Sequence, residues 1–246
     1  MCTVVVLFRP GHAWPVVLVA NRDESVDRAW DLPDTHWPSQ PGVIAGRDRT
    51  AGGTWMGLNR EGVTAAVLNR PGSLGPADGK RSRGELPLMA LAQPTAAKAA
   101  AAIAAQNAGE WRGFNLVLAD RMGALFVRGA GHGPPVVQTL PPGVSMVTAH
   151  DPNDPDSPRV QRHLPRFRDA APPDPGHWDA WRAILADHAG SPGEQINVIS
   201  RGGFGTVSSS YLAIPAVGEP VWLFAAGAPH EAPFEPVTAM SAAFRP

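Results

Sequence analysis

The chain opens on a run of apolar and β-branched residues, Thr3 to Phe8, which reads as a strand buried on both faces. A Pro10-Gly11 turn follows, then a second apolar run from Pro15 to Ala20. That run ends in Asn21-Arg22-Asp23-Glu24, polar residues placed where a hairpin returns the chain beside its own start. Val43 to Ala45 reads as a short strand. Thr54 to Leu58 and Val63 to Leu68 read as two more, joined through the turn Asn59-Arg60-Glu61-Gly62. Phe114 to Ala119 and Ala124 to Val127 pair around Asp120-Arg121-Met122-Gly123, and Pro135 to Thr139 and Val144 to Thr148 add two strands. Two late strands are Thr206 to Ile214 and Val221 to Ala225.

Helical spacing appears between these runs. Ser82 and Glu85 have capping-box spacing, so a helix is expected to start near Ser82 and to carry the apolar run Leu86 to Leu91. The alanine-rich segment Thr95 to Gln106 is a strong helix former. Two further helices are expected at about Ser157 to Ala170 and Pro175 to His188, the second with Trp178, Trp181, Ile184 and Leu185 at helical spacing. Ser25 to Pro41 reads as a long surface loop, in which Trp30, His36 and Trp37 suit either packing or a pocket rim. Strands grouped at both ends with helices between them indicate an α+β fold, two sheets covered by helices.

Composition narrows the class. At 246 residues the chain suits one domain, 1–246, with a sizeable core. The 27 prolines and 26 glycines cluster between the periodic runs, where they mark loops. A net charge of −1 argues against nucleic acid or an anionic membrane surface as a partner. No apolar stretch is long enough for a membrane span, and the start lacks the charged region and cleavage site of a secretory signal. The single cysteine excludes an internal disulfide and fits a reducing compartment, so a cytoplasmic location is expected. The histidines fall into no ligand spacing and no glycine loop fits a phosphate, so neither metal nor cofactor is expected.

That cysteine, Cys2, directly follows Met1. Its side chain is small enough for Met1 removal, which would leave a residue carrying nucleophile and base together. A free thiol titrates near ~8.5 and an α-amine near ~7.7–8.0. The ammonium and the nearby Arg22 favour thiolate, whereas burial in the first strand opposes it.

Cys2-Thr3 followed by Asn21-Arg22-Asp23-Glu24 resembles the NRDE family, which includes the transport and Golgi organization protein 2 group. Ala45-Gly46-Arg47-Asp48, then Gly52-Gly53-Thr54-Trp55-Met56-Gly57, and Gly62 to Asn69-Arg70-Pro71 strengthen the likeness. The resemblance implies the four-layer αββα sandwich of the N-terminal-nucleophile hydrolases, with penicillin V acylase and bile salt hydrolase as relatives. It implies Cys2 as nucleophile, Asp23 as the holder of its amine, Arg22 as a charge favouring thiolate, and Asn69 as an oxyanion donor. Two positions depart from those relatives. His150 stands where they carry an asparagine, and can still donate to an oxyanion. Val207 stands where the family pattern has an arginine, Arg201 being a nearby substitute. The implied function is an amidohydrolase for a small amide or lactone, acylated ones included, acting on non-peptide C–N bonds. The alternative is a non-catalytic carrier of haem or a lipid-like ligand in the same pocket, as eukaryotic members have been linked to haem trafficking. The oligomeric state is left open.

Overall fold

The computed structural model of the chain describes residues 2–200 and 202–240. In chain order come β1 (Thr3–Phe8), β2 (Val16–Ser25), β3 (Trp30–Asp34), β4 (Val43–Asp48), β5 (Met56–Asn59) and β6 (Thr64–Asn69). Helices α1 (Glu85–Leu91) and α2 (Ala96–Ala104) precede β7 (Phe114–Asp120), β8 (Gly123–Gly129), β9 (Val136–Thr139) and β10 (Gly143–Val147). Helices α3 (Pro158–Asp169) and α4 (Asp179–Leu185) precede β11 (Phe204–Ile214), β12 (Val221–Ala225) and β13 (Glu235–Pro236). No helix is long and apolar enough to cross a membrane among the described residues.

The chain gathers into two compact units. The first joins the N-terminal segment up to Asp27 to Pro141–Val237 and holds a sheet of order β10-β1-β2-β11-β12-β13. All six side chains of β1 are buried, as an unbroken apolar run requires. Val5 and Leu7 of β1, Val17 and Val19 of β2, and Tyr211 and Ala213 of β11 share one core cluster with α3 and α4. The period of two in the strands meets Val160, Leu164 and Phe167 of α3 and Trp181, Ile184 and Leu185 of α4. The second unit is built chiefly from Arg28–Leu140 and holds the antiparallel order β3-β4-β5-β6-β7-β8-β9. Helices α1 and α2 supply Leu86, Ala90, Ala99 and Ile103 to the core on one face of that sheet.

Four expectations are corrected. Asn21-Arg22-Asp23-Glu24 does not follow a strand end but lies inside β2, with Asn21, Arg22 and Asp23 buried. Ser25 to Pro41 is not all loop: β3 runs through it as an edge strand, with Trp30 opposite Asp48. The ladder to β4 holds this strand, with Arg47 meeting Asp31 at 2.7 Å and Trp30 edge-on to Trp55 at 5.7 Å. Pro33 is tolerated because an edge needs only one row of hydrogen bonds. The capping box does not form: α1 starts at Glu85 behind Gly84, and the Glu85 carboxylate accepts from Arg81 at 2.6 Å. The second late helix is confined to Asp179–Leu185, because Asp174 and His177 pair across a turn in which Gly176 adopts a positive φ of 87°.

His163 of α3 is fully buried; its ring accepts from Arg166 at Nδ1 (3.1 Å) and donates from Nε2 to the Glu194 carbonyl (2.8 Å). Burial pushes its pKa down to about 4. The unfolded chain therefore binds a proton below about pH 6.5 that the folded chain refuses until about pH 4. Stability is complete above that window and is lost as pH falls through it, by about 3 kcal/mol in all. Urea unfolding at pH 7 and pH 4.5 should show this loss, and His163→Leu should flatten the dependence. An unchanged slope in the variant would refute the assignment.

Candidate active site

The register of β1 on β2 sets Thr3 opposite Asn21, which brings Cys2, one residue before the strand, beside Arg22 and Asp23. Cys2 is half-buried as a residue, and its sulfur lies against the backbone of Asp23, accepting from its N–H at 3.4 Å and donating to its carbonyl at 3.6 Å. Cys2, Arg22 and Asp23 are thus brought together, as the sequence suggests, but by strand pairing rather than by a turn. Burial, and after it the Asp23 charge, push the Cys2 thiol above its ordinary pKa, and the Arg22 guanidinium does not make up the difference.

The strand pleat gives each residue of the polar tetrad its own task. Asn21 is a clip: its Nδ2 donates to the carbonyls of Leu185 and Ile196, both at 2.9 Å, and its Oδ1 accepts from Ser209 at 2.7 Å. Arg22 is buried with a guanidinium nitrogen 4.0 Å from Glu24. Asp23 is also buried, and its Oδ1 accepts from the Thr206 hydroxyl at 2.6 Å. Its Oδ2 accepts at 3.2 Å from Arg159, and that same nitrogen of Arg159 donates to the Thr3 hydroxyl at 3.0 Å. Thr206 reaches this position because a bulge interrupts β11: Thr206 faces Asp23, Ser208 faces Arg22, and Val207 falls between them out of register.

Arg159 is the residue that sequence reading missed. A signal was present: Arg159, Val160, His163, Leu164 and Phe167 are the buried positions of α3, so a guanidinium sits on an otherwise core-facing stripe. The two expected oxyanion donors lie elsewhere in the chain. His150 follows β10 in the same unit, half-exposed, with Nδ1 3.3 Å from Asp154. Asn69 ends β6 in the second unit, opposite Phe114. The turn after it is capped by Ser73, whose hydroxyl accepts from the Arg70 N–H at 2.9 Å, so Asn69 is not needed as a cap. Arg201 and Met1 lie outside the described residues. A cavity of about 380 Å³ lined by Leu7, Val144, Phe167 and Trp181 opens near the far end of β1. Leu7 is five residues from Cys2, roughly 16 Å along a strand, so this cavity does not serve the thiol. Among the described residues no group of histidine, cysteine and acidic side chains could hold a metal ion.

The chain is similar to known proteins in sequence and in fold. A mouse transport and Golgi organization 2 homolog is 30% identical over 127 residues, 49% of this chain. The match spans 45% of the mouse protein, so this chain corresponds to about half the length of that relative. Among solved structures, a Caenorhabditis elegans ortholog of N-acylethanolamine-hydrolyzing acid amidase superposes with a TM-score of 0.60 at 12% identity, covering 86% of this chain and 92% of that one. A conjugated bile acid hydrolase from Clostridium perfringens superposes with a TM-score of 0.52 at 10% identity, over 97% of each chain. These likenesses establish the fold as α+β, the N-terminal-nucleophile hydrolase type. The model of the transport and Golgi organisation 2 family matches residues 1–171, and the chain belongs to that family.

Proposed function

We propose that the chain is a cysteine N-terminal-nucleophile amidohydrolase acting on a small amide or lactone. The observation that carries this reading is the sulfur of Cys2 seated against Asp23, whose carboxylate is buried and held from two sides by Thr206 and Arg159. Loss of Met1 would free an α-amine on Cys2 itself, adding an ammonium that favours thiolate against the burial described above. The amine takes the thiol proton and the sulfur attacks the substrate carbonyl. The C–N bond breaks as the amine passes that proton to the leaving nitrogen, and water then hydrolyses the thioester, releasing an acid and restoring the thiol. Asp23 orients the amine through these transfers. His150, in the same unit as Cys2, is the proposed oxyanion donor, with an imidazole N–H suited to that task. Two of the similar structures are named for hydrolysing an N-acylethanolamine and a conjugated bile acid, which favours an acylated amide as substrate. The test is a panel of N-acyl amides and acyl lactones presented to the untagged protein, with Cys2→Ala as control. Release of amine or acid by the native chain alone supports the proposal, and a flat panel counts against it.

One observation favours a second reading, a carrier of haem or a lipid-like ligand. The thiol is pushed toward its protonated form, which is the weaker nucleophile. The readings part over Cys2→Ala: hydrolysis ends, whereas carriage of a lipid-like ligand continues.

A further inference from the structure

Arg159 is almost fully buried, on the apolar stripe of α3, and one of its nitrogens bridges Thr3 of β1 and Asp23 of β2. A buried guanidinium is costly to place and is tolerated where a carboxylate meets it. The geometry points to Arg159 as a positioning residue that offsets the Asp23 charge beside the Cys2 sulfur and so keeps that thiol ionisable. The inference rests on the proposed nucleophilic role of Cys2. Among the described residues, the charges that act directly on the sulfur are those of Asp23 and Arg22. Asp23, on β2, opposes ionisation of the thiol, and Arg22, also on β2, supports it while lying 4.0 Å from Glu24. From β11 come the neutral hydroxyls of Thr206 and Ser208, and beyond β10 His150 and Asp154 pair with each other. Arg159 is the cation that reaches Asp23 from α3, on the side opposite in sequence to the tetrad, and acts on the sulfur through that carboxylate.

The test needs no substrate. Cys2 is the single cysteine of the chain, so iodoacetamide reads one thiol. Rates are measured against pH for the native chain, Arg159→Gln, Arg159→Lys, Asp23→Asn and Asp23→Asn/Arg159→Gln, with circular dichroism to verify folding. Arg159→Gln should react about 3–10-fold more slowly at pH 7.5, with the midpoint of its profile moved up. Arg159→Lys keeps the charge and should stay within about 2-fold of the native chain. Without the carboxylate there is nothing to offset, so the double variant should match Asp23→Asn within about 2-fold. A purely structural arginine would lower the rate equally in both backgrounds, and that result overturns the proposal. So does an Arg159→Lys as slow as Arg159→Gln, or an Arg159→Gln that does not differ from native. Should Arg159→Gln fail to fold, the lysine variant and the double variant, which leaves no uncompensated carboxylate, decide the matter. Hydrolysis is assayed on the same preparations. A flat substrate panel alongside the expected alkylation pattern would remove the hydrolase reading and leave the Arg159 effect standing.

Discussion

Replacing Cys2 by Ala should abolish amide hydrolysis, by about 10³-fold or more, while the chain remains folded. The loss is large because attack on the carbonyl and formation of the thioester both need the sulfur, and no neighbouring group replaces it. Thr3 is buried, with its hydroxyl held by Arg159, and Ser209 is buried and donates to Asn21. The folding cost is small because Cys2 precedes the first strand, is half-buried as a residue, and its sulfur makes long hydrogen bonds of 3.4 and 3.6 Å. About 1 kcal/mol or less is expected from unfolding curves. Retained turnover in Cys2→Ala would show that whatever activity is seen comes from another group.

The second large effect is on stability. Asp23→Ala removes the carboxylate from a guanidinium whose side chain is only 3% exposed. Breaking such a pair by deleting one member costs about 3–5 kcal/mol, since the charge left behind has lost its compensation. Removing both members is far milder, and Asp23→Leu/Arg159→Met should regain most of the loss. Thr206 tolerates this exchange because its hydroxyl also accepts from the Val198 N–H at 2.8 Å. Urea unfolding of Asp23→Leu, Arg159→Met and the double variant gives the coupling directly. An Asp23→Ala that unfolds within about 1 kcal/mol of the native chain would mean that water reaches the pair.

Which parts of this were legible in the sequence follows from what local pattern can express. β1 and most of β7 are apolar on both faces, and their runs announce them without reference to anything distant. β3 hides because it is held by its pairing with β4, which no local pattern expresses, while Pro33 and the acidic residues read as loop. The tetrad reads as a turn because four polar residues in succession usually meet water. Here each finds a partner instead: Asn21 on the chain around α4, Asp23 on α3 and β11. The pairing of Cys2 with Asp23 was accessible because one hairpin joins them. The pairing of Asp23 with Arg159 spans 136 residues and was not. Likewise the sequence marks Val207 as a departure from the family pattern, but not that it occupies a bulge that swings Thr206 onto the carboxylate.

The role of Cys2 depends on a free amine on the same residue, so the mass of the intact, untagged protein tests the account most directly. Met1 should be absent from essentially every molecule, leaving Cys2 first. After brief exposure to an activated acyl substrate, the same measurement should show one added acyl group, lost again on standing in water. A population that keeps Met1, with no acyl adduct at Cys2, would contradict the N-terminal-nucleophile mechanism, because an amine tied in a peptide bond cannot serve as the base.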